Sequence, residues 1–265
     1  MTAPKLPRAA VSLTDLTVCY GLTDAVRNVT CNLNYGEITA IIGPNGSGKS
    51  TVLAAISGLI SPTHGATSIH VDRASSHPVA HVLQSTIAND ALPLTVYETV
   101  RLGAYSRHGL IGRLTKRDKD VVDEAIARLD LTDLKRRPLH ALSGGQRQRV
   151  YLAQALAEQA DILLLDEPIT GLDINSQDVI QRTMFAERDA GRCVVITTHD
   201  LEMARSCDKV MLIATNLVSF GPPDTALDTA NLQKAFGGHL HALPDGTLVL
   251  DDPHPHHPTH GNAGG

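Results

Sequence analysis

The chain has 265 residues and a formal net charge of −5, and 42% of its residues are hydrophobic while only 3% are aromatic. The hydrophobic share is sufficient for one or two compact units, whereas the negative charge and the few aromatic side chains argue against a basic, stacking-rich surface for nucleic acid. The sequence has no apolar run of membrane-spanning length, and its first residues lack the apolar stretch of a secretory signal, so a cytoplasmic protein is expected. The four cysteines are scattered without a C-x-x-C pair and are expected to be reduced packing residues.

A glycine-rich loop follows an early predicted strand. Residues 38–42 form a short apolar, β-branched run typical of a buried parallel strand, and residues 51–56 have helical spacing. Residues 43–50 fit G-x-x-x-x-G-K-[ST], a pattern that turns backbone N–H groups toward nucleotide phosphates, with Lys49 reaching the β/γ oxygens and Ser50 ligating Mg²⁺. The candidate nucleotide-binding residues here are Gly43, Pro44, Asn45, Gly46, Ser47, Gly48, Lys49, Ser50 and Thr51.

The segment between residues 84 and 142 is predicted to be helical. Thr95 begins a capping box with Glu98, and Thr115 is expected to open the next helix. Two or three short helices here would form a small subdomain whose apolar stripes mostly pack against the rest of the protein. The stripe residues are Val96, Val100, Ala104, Val121, Val122, Ala125, Ile126 and Leu129.

A second anion site is predicted at residues 142–146, which read LSGGQ. Ser143 stands where an N-cap belongs, and residues 147–158 continue as a helix with few breakers. Ser143, Gly144, Gly145 and Gln146 therefore offer a helix N-terminus to an anion. One nucleotide does not obviously need two such sites. A composite site, in which this helix comes from another copy of the chain, would explain both.

Two acidic residues follow the next predicted strand, residues 162–165. Asp166 and Glu167 would lie at the carboxyl end of that strand, where ligands of open α/β sheets bind. Asp166 is suited to holding Mg²⁺, and Glu167 to deprotonating a water in line with the γ-phosphate. A pair of solvated acids would be the preferred interpretation in isolation, but not in a chain that also carries Lys49.

A third predicted strand, residues 194–198, ends in His199 and Asp200. Asp200 is most simply the N-cap of the following helix. His199 is either an ordinary strand-end histidine or a contact to the γ-phosphate or the attacking water, and its place at the carboxyl edge favours the contact. The motifs in this order predict ATP hydrolysis.

The three motifs resemble those of the ATP-binding cassette (ABC) ATPases over about residues 11–220. The resemblance implies an α/β fold: a P-loop NTPase (RecA-like) core with an antiparallel β subdomain and a helical subdomain inserted at about residues 85–145. It further implies that Tyr20 stacks on adenine, that Gln84 senses Mg²⁺ and the partner subunit, and that Asp173 lies in the loop crossing between subunits. The serine usual in that loop is replaced by Thr170, a minor departure.

The resemblance also implies a dimer in which two copies clamp two ATP molecules head to tail. The phosphate loop of one copy would face the LSGGQ segment of the other, with His199 acting as the switch histidine. ATP and Mg²⁺ are the implied cofactors. The implied catalytic residues are Lys49, Glu167 and His199, and the implied Mg²⁺ ligands are Ser50, Gln84 and Asp166.

Within the family, residues 142–173 and 92–96 are most similar to the ATPases of zinc and manganese importers. The resemblance implies a peripheral subunit on the inner face of the cell membrane, bound to integral membrane permease subunits and served indirectly by an extracytoplasmic metal-binding protein. Residues 85–94 and the exposed face around Tyr97, Arg101 and Tyr105 are candidates for the permease contact. We expect zinc as the first cargo and manganese as the second.

The same motifs also occur in ATPases with other functions. The ATPase of an importer for an iron chelate or cobalamin remains open, because the cassette scarcely encodes its cargo, as does an exporter ATPase. Non-transport members typically carry two cassettes or a long coiled-coil insertion, and this sequence has neither.

Residues 221–265 are expected to be an extension outside the cassette. A short helical stretch reaches Phe236, and the prolines that follow point to disorder. Four histidines between residues 254 and 260 suit loose binding of a transition metal through neutral imidazoles. A solvated tail of biased composition is the alternative.

Overall fold

The computed structural model describes residues 8–71, 77–83, 94–106, 113–237, 240–242 and 248–250. In chain order its strands are β1 (Ala9–Tyr20), β2 (Thr23–Asn34), β3 (Ile38–Ile42), β4 (His64–Ile69), β5 (Val79–Val82), β6 (Ile162–Asp166), β7 (Cys193–Thr197), β8 (Lys209–Ala214), β9 (Asn216–Gly221), β10 (Leu240–Ala242) and β11 (Leu248–Leu250). Its helices are α1 (Lys49–Ile56), α2 (Val96–Tyr105), α3 (Lys116–Arg128), α4 (Gly144–Ala157), α5 (Ile174–Asp189), α6 (Leu201–Arg205), α7 (Pro223–Ala226) and α8 (Thr229–Phe236), with 3₁₀ turns at Thr132–Leu134 and Leu139–Ala141.

Nine strands form one sheet in the order β4-β1-β2-β9-β8-β3-β7-β6-β5. The run from β8 to β5 is parallel throughout, while β1 pairs antiparallel with both β2 and β4. All five residues are buried in each of β3, β6 and β7, which explains their unbroken apolar runs, since parallel strands are covered on both faces. The predicted fold class, with its parallel core, antiparallel β subdomain and inserted helices, is confirmed.

The core is divided between the two faces of this sheet. Ile38, Ala40 and Ile42 of β3 join a cluster with α2 to α8, whereas Ile41 joins a cluster with β1, β2 and α1. This split follows from the alternation of side chains along a strand. α1, which follows the phosphate loop, thereby lies on the opposite face from the inserted helices.

The inserted helices α2 and α3 pack on α4. Thr95 forms the predicted capping box with Glu98. Thr115 opens α3, as predicted, and forms a capping box of its own with Asp118. The predicted stripe is buried apart from Val121, which is half-buried. Gly103 allows a close approach of α2 to α4, because a Cβ there would lie 2.1 Å from the Gln154 carbonyl oxygen.

The exposed face predicted on α2 is corrected by the structure. Tyr97, Arg101 and Tyr105 are half-buried, and the Arg101 guanidinium lies over the Tyr105 ring at 5.7 Å. The exposed apolar side chain of this helix is Leu102. Of the predicted contact segment 85–94, only Leu94 lies among the described residues.

Packing continues past the predicted cassette limit at residue 220. α7 and α8 place Ala226, Leu227, Leu232 and Phe236 in the same core cluster as the parallel sheet. β10 and β11 then pair antiparallel. The histidine-rich run and the disorder predicted for it fall outside the described residues. Among the residues that are described, no helix has both the length and the apolar character needed to cross a bilayer.

The four cysteines are free thiols. Cys31, Cys193 and Cys207 are buried, and burial raises the pKa of each to about 12. A thiol with such a pKa is almost entirely protonated at neutral pH and is a poor nucleophile. The predicted role of these residues in packing is confirmed.

Candidate active site

Three segments that carry the predicted chemistry meet at one edge of the sheet. β3 and β6 both neighbour β7, and all three strands run parallel. Their carboxyl ends therefore lie side by side, which brings the loop after Ile42, the acids at 166 and 167, and His199 to a common edge. This is the location at which open α/β sheets bind ligands.

At two positions of the phosphate loop, Gly43 and Gly48, only glycine fits. Gly48 has a φ of 98°, and a Cβ there would lie 2.3 Å from the Ala25 carbonyl oxygen. A Cβ on Gly43 would lie 2.0 Å from the Ile213 carbonyl oxygen. These close approaches hold the loop against β2 and β8, with α1 beginning immediately afterwards at Lys49.

Lys49 lies within this loop with its side chain buried. Its Nζ donates hydrogen bonds to the carbonyl oxygens of Gly43, at 2.8 Å, and Pro44, at 3.1 Å. The Ser47 hydroxyl is buried without a hydrogen-bond partner in the described part of the chain. An ammonium, an unsatisfied hydroxyl and a helix N-terminus in one loop fit an anionic phosphate group.

The acidic strand end is oriented by a residue that sequence reasoning missed. Asp166 is buried, and its Oδ1 accepts a hydrogen bond from the Thr197 hydroxyl, whose oxygen also accepts from the Glu167 backbone N–H at 2.9 Å. Glu167 has a φ of 48°, in the left-handed region. Thr197 is the residue paired with Asp166 in the β6–β7 register, so only the strand pairing could have identified it.

His199 lies beside the second acid. Its Nδ1 is 3.9 Å from Glu167 Oε2, and its side chain is 38% exposed against 14% for Glu167. Asp200 is the N-cap of α6, as predicted, and accepts from the backbone N–H groups of Glu202 and Met203. The imidazole is thus placed next to a carboxylate at the ligand-binding edge.

A second histidine near this edge was not predicted. His81 lies on β5 beside β6, and both of its ring nitrogens are buried without a hydrogen-bond partner in the described part of the chain. Burial lowers the pKa of His81, and the negative charge of Asp166 opposes that effect in part. Desolvation therefore favours the neutral imidazole.

The LSGGQ segment packs against the predicted crossing loop within the same chain. Ser143 caps α4 and forms a capping box with Gln146. Asp173 caps α5 and accepts from both the backbone N–H and the hydroxyl of Ser176, and these hydrogen bonds lower the pKa of its carboxyl. A Cβ on Gly145 would lie 2.4 Å from Ser176 Oγ, so glycine is required for this contact.

The remaining predicted ligands are placed as follows. Tyr20 ends β1 with its ring 58% exposed, available for stacking. Ser50 is exposed in the first turn of α1, and Thr51 is half-buried beside it. Gln84 lies outside the described residues. Ser50 and Asp166 each carry an oxygen donor of the hard kind that Mg²⁺ prefers.

Comparison with known proteins agrees with this site. Residues 26–170 match the family model described as ABC transporter. The chain is 37% identical to the "Chelated iron transport system membrane protein YfeB" of Yersinia pestis, covering 96% of this chain and 88% of that protein. It is 36% identical to the "Manganese transport system ATP-binding protein MntB" of Listeria monocytogenes, with 84% and 94% covered. It is 35% identical to the "Zinc transport system ATP-binding protein TroB" of Treponema pallidum, with 87% and 88% covered.

Solved structures share the fold. The dimeric structure of MJ0796, described as a bacterial ABC transporter cassette, is 28% identical and superposes with a TM-score of 0.69, covering 80% of this chain and 98% of that one.

Proposed function

Because the chain belongs to the ABC transporter family and is an ATPase of that family, we propose that it energises the import of a divalent metal ion, with zinc as the first candidate cargo and manganese as the second. The observation that carries the ATPase assignment is the meeting of Lys49, Asp166, Glu167 and His199 at one edge of the sheet. The metal cargo is supported by relatives named for chelated iron, manganese and zinc transport.

The phosphate loop would hold ATP in this proposal. Backbone N–H groups of residues 45–51 would surround the phosphates, and the Lys49 ammonium would exchange its contacts with Gly43 and Pro44 for phosphate oxygens. The exposed Tyr20 ring would stack on the adenine. Mg²⁺, when bound, supplies charge neutralisation between the phosphates, and Ser50, Gln84 and Asp166 are the residues that would hold it.

Glu167 would take the proton of the attacking water. Its backbone is held by Thr197, and its carboxylate lies 3.9 Å from His199, which would contact the γ-phosphate. At 3.9 Å the carboxylate and the imidazole lie side by side, without room for a water between them. The general base and the phosphate contact would thereby face the attacking water and the γ-phosphate from the same side.

A second copy of the chain would complete the site. Ser143, Gly144, Gly145 and Gln146 form an N-capped helix terminus that offers backbone donors to an anion. In a head-to-tail dimer these donors would face the phosphate loop of the partner, with Asp173 in the loop that crosses between subunits. The packing of Gly145 on Ser176 links these two segments, so they would approach the partner as one unit.

The transported metal would not cross this chain. Integral membrane permease subunits would carry it, and an extracytoplasmic metal-binding protein would deliver it to them, with this ATPase on the inner face of the membrane. The inserted helices, with Leu102 exposed on α2, would receive the permease. ATP binding would close the dimer and drive metal release, and hydrolysis would reopen it.

The experiment that tests this proposal is deletion of the gene followed by growth under chelator-induced metal limitation. Cellular zinc, manganese and iron are measured by elemental mass spectrometry, with the wild-type chain, Glu167→Gln or Glu124→Gln supplied in trans. We expect a selective loss of zinc that wild type and Glu124→Gln restore and Glu167→Gln does not. Glu124 is exposed on α3, far along the chain from the acidic strand end, and serves as the matched control.

Other outcomes have definite meanings. A selective loss of manganese would make manganese the cargo, and a selective loss of iron would favour the function for which the Yersinia relative is named. Unchanged levels of all three metals would reject metal import. Restoration by Glu167→Gln would reject the assigned role of that residue.

A further inference from the structure

We propose that Thr197 is a positioning residue that holds both acids of the hydrolytic site, Asp166 and Glu167, through a single hydroxyl. The inference rests on the proposed roles of these two acids. Thr197 is the last residue of β7, is fully buried, and belongs to none of the sequence motifs. Its hydroxyl makes one hydrogen bond to each of the two adjacent acidic residues.

The direction of both hydrogen bonds follows from the groups present. A backbone N–H donates only, so the Thr197 oxygen accepts from Glu167 N at 2.9 Å. An ionised carboxylate accepts only, so the one hydroxyl proton is directed at Asp166 Oδ1. Neither bond competes with the other. The single hydroxyl proton is committed to Asp166, so the rotation of the hydroxyl is fixed.

The hydrogen bond from Thr197 to Asp166 orients the carboxylate that would hold Mg²⁺. Asp166 is buried, and its hydrogen bond from Thr197 is charge-assisted, hence stronger than a bond between neutral groups. A hydroxyl leaves the negative charge of the carboxylate in place, whereas an arginine or lysine at position 197 would neutralise it. Thr197 therefore sets the direction of Asp166 without weakening its attraction for a cation.

The hydrogen bond from the Glu167 backbone N–H to Thr197 holds Glu167 in an unfavourable backbone conformation. Glu167 has a φ of 48°, which places a non-glycine residue in the left-handed region, and such a conformation persists only where its surroundings impose it. The hydrogen bond from Glu167 N to Thr197 Oγ1 ties this backbone to β7. The side chain that projects from it would be the general base, so its placement depends on the same hydroxyl.

A threonine at this position is otherwise unexpected. The three residues before it, Val194, Val195 and Ile196, are fully buried and apolar, and valine would fill nearly the same volume as threonine. Valine would leave Asp166 Oδ1 and Glu167 N without this partner. The hydroxyl is thus explained by its two contacts rather than by the packing of β7.

The test compares Thr197→Val with Thr197→Ser, using Thr183→Val as the control. Thr183 is a buried threonine of α5 whose hydroxyl donates to the Val179 carbonyl oxygen at 2.8 Å, so its replacement removes the same atoms away from the acidic strand end. The full-length chain is purified for each variant. Steady-state ATP hydrolysis, affinity for a fluorescent ATP analogue with and without Mg²⁺, and thermal unfolding are measured.

Thr197→Val is expected to lower kcat by about 10- to 100-fold, the range found when a group supporting a metal ligand is lost. The affinity for the analogue without Mg²⁺ should stay within about threefold of wild type, because Lys49 and the phosphate loop are unchanged, while the gain in affinity on adding Mg²⁺ should shrink by about tenfold. Thr197→Ser keeps the hydroxyl and should restore both properties. Thr183→Val should leave both unchanged.

A wild-type kcat in folded Thr197→Val would overturn the inference, as would a loss no larger than that of Thr183→Val. If the valine variant does not fold, Thr197→Cys replaces it, since a thiol is only a weak donor. Equal kcat values for Thr197→Ser and Thr197→Cys would then reject the inference. Glu167→Gln is measured beside them: if it hydrolyses ATP normally the proposed function fails, whereas a dead Glu167→Gln with an active Thr197→Val rejects only the role of Thr197.

Discussion

The two edges of the parallel sheet hold their buried acids in different ways. At the carboxyl edge, Asp166 accepts a hydrogen bond from the neutral hydroxyl of Thr197. At the amino edge, Glu187 is only 2% exposed and forms ion pairs with two guanidinium groups, those of Arg128 and Arg192, the second at 2.6 Å. Both carboxylates are buried, but only the second is surrounded by positive charge.

A second acid at the amino edge is also paired with an arginine. Asp208, which precedes β8, accepts from the Ile38 backbone N–H at 2.8 Å and lies 3.5 Å from the Arg188 guanidinium. The pKa of Arg188 is raised, first by its hydrogen bond to Asp189 and then by charges that include Asp208. The amino edge therefore joins the elements of the fold through ion pairs, whereas the carboxyl edge carries the two acids that we propose hold Mg²⁺ and activate water.

The amino-edge pair also crosses between two parts of the molecule. Arg128 lies at the end of α3 in the inserted helices, while Glu187 lies on α5 and Arg192 precedes β7. Their ion pairs tie the insertion to the parallel sheet. The comparison leads to a simple expectation: changes at the carboxyl edge should alter ATP chemistry, and changes at the amino edge should alter stability.

The largest effect is expected from Glu167→Gln at the carboxyl edge. Loss of the general base should lower kcat by about 10²- to 10⁴-fold, whereas the phosphate loop still binds ATP. The thermal unfolding midpoint should stay near that of wild type. Steady-state hydrolysis and calorimetry of the purified chain provide the measurements, with Glu124→Gln as control. An undiminished hydrolysis rate would remove Glu167 from the mechanism.

Lys49→Ala should weaken nucleotide binding itself. The ammonium is worth about 10- to 100-fold in affinity if it makes one charged hydrogen bond to phosphate. Titration with a fluorescent ATP analogue measures this, and Lys119→Ala, an exposed lysine on α3, is the control. Normal ATP affinity in Lys49→Ala would contradict its assignment to the phosphate loop.

Glu187→Gln should act on stability and leave the chemistry intact. Removing one partner of a buried ion pair leaves charges uncompensated, and because the side chains of Arg128 and Arg192 are 34% and 24% exposed, we expect a loss of about 1–3 kcal/mol in the free energy of unfolding. Urea denaturation gives this value. The kcat per folded molecule should change less than about twofold. A Glu187→Gln variant with unchanged stability and impaired hydrolysis would contradict the expectation that the amino edge acts on stability alone.

The pH dependence of the free energy of unfolding tests the effect of burial on Glu158, at the end of α4. Burial raises its pKa from 4.5 to about 7. Between these values the folded state binds more protons than the unfolded state, so the free energy of unfolding falls as pH rises through this window. Because the side chain is only half-buried, the effect should be about 1 kcal/mol or less.

Replacement of Glu158 by glutamine should remove that dependence. The variant should be more stable than wild type at pH 8, and the difference should vanish as the pH falls toward 4.5. Thermal unfolding at several pH values measures the difference. A constant difference across the range would show that the carboxyl does not titrate within it.

The sequence by itself determined the local elements of this protein. The strands around residues 38–42 and 162–166 and the caps at Thr95, Thr115, Ser143 and Asp200 were predicted and are found. Each depends on residues within a few positions of one another, through an apolar run or a side chain that caps its own helix. The fold class and the ATPase family follow from the same local motifs, while the roles of individual site residues stay predictions.

Only the tertiary structure decided the contacts between distant segments. Thr197 meets Asp166 across 31 positions of sequence, and Arg128 meets Glu187 across 59. The half-buried state of Tyr97 and the packing of α7 and α8 on the core likewise depend on neighbours far along the chain. Hydrogen bonds and burial are properties of atoms close in space, and strand order and helix docking bring those atoms together. The order of the strands depends on the whole chain, so no short segment of the sequence reveals it.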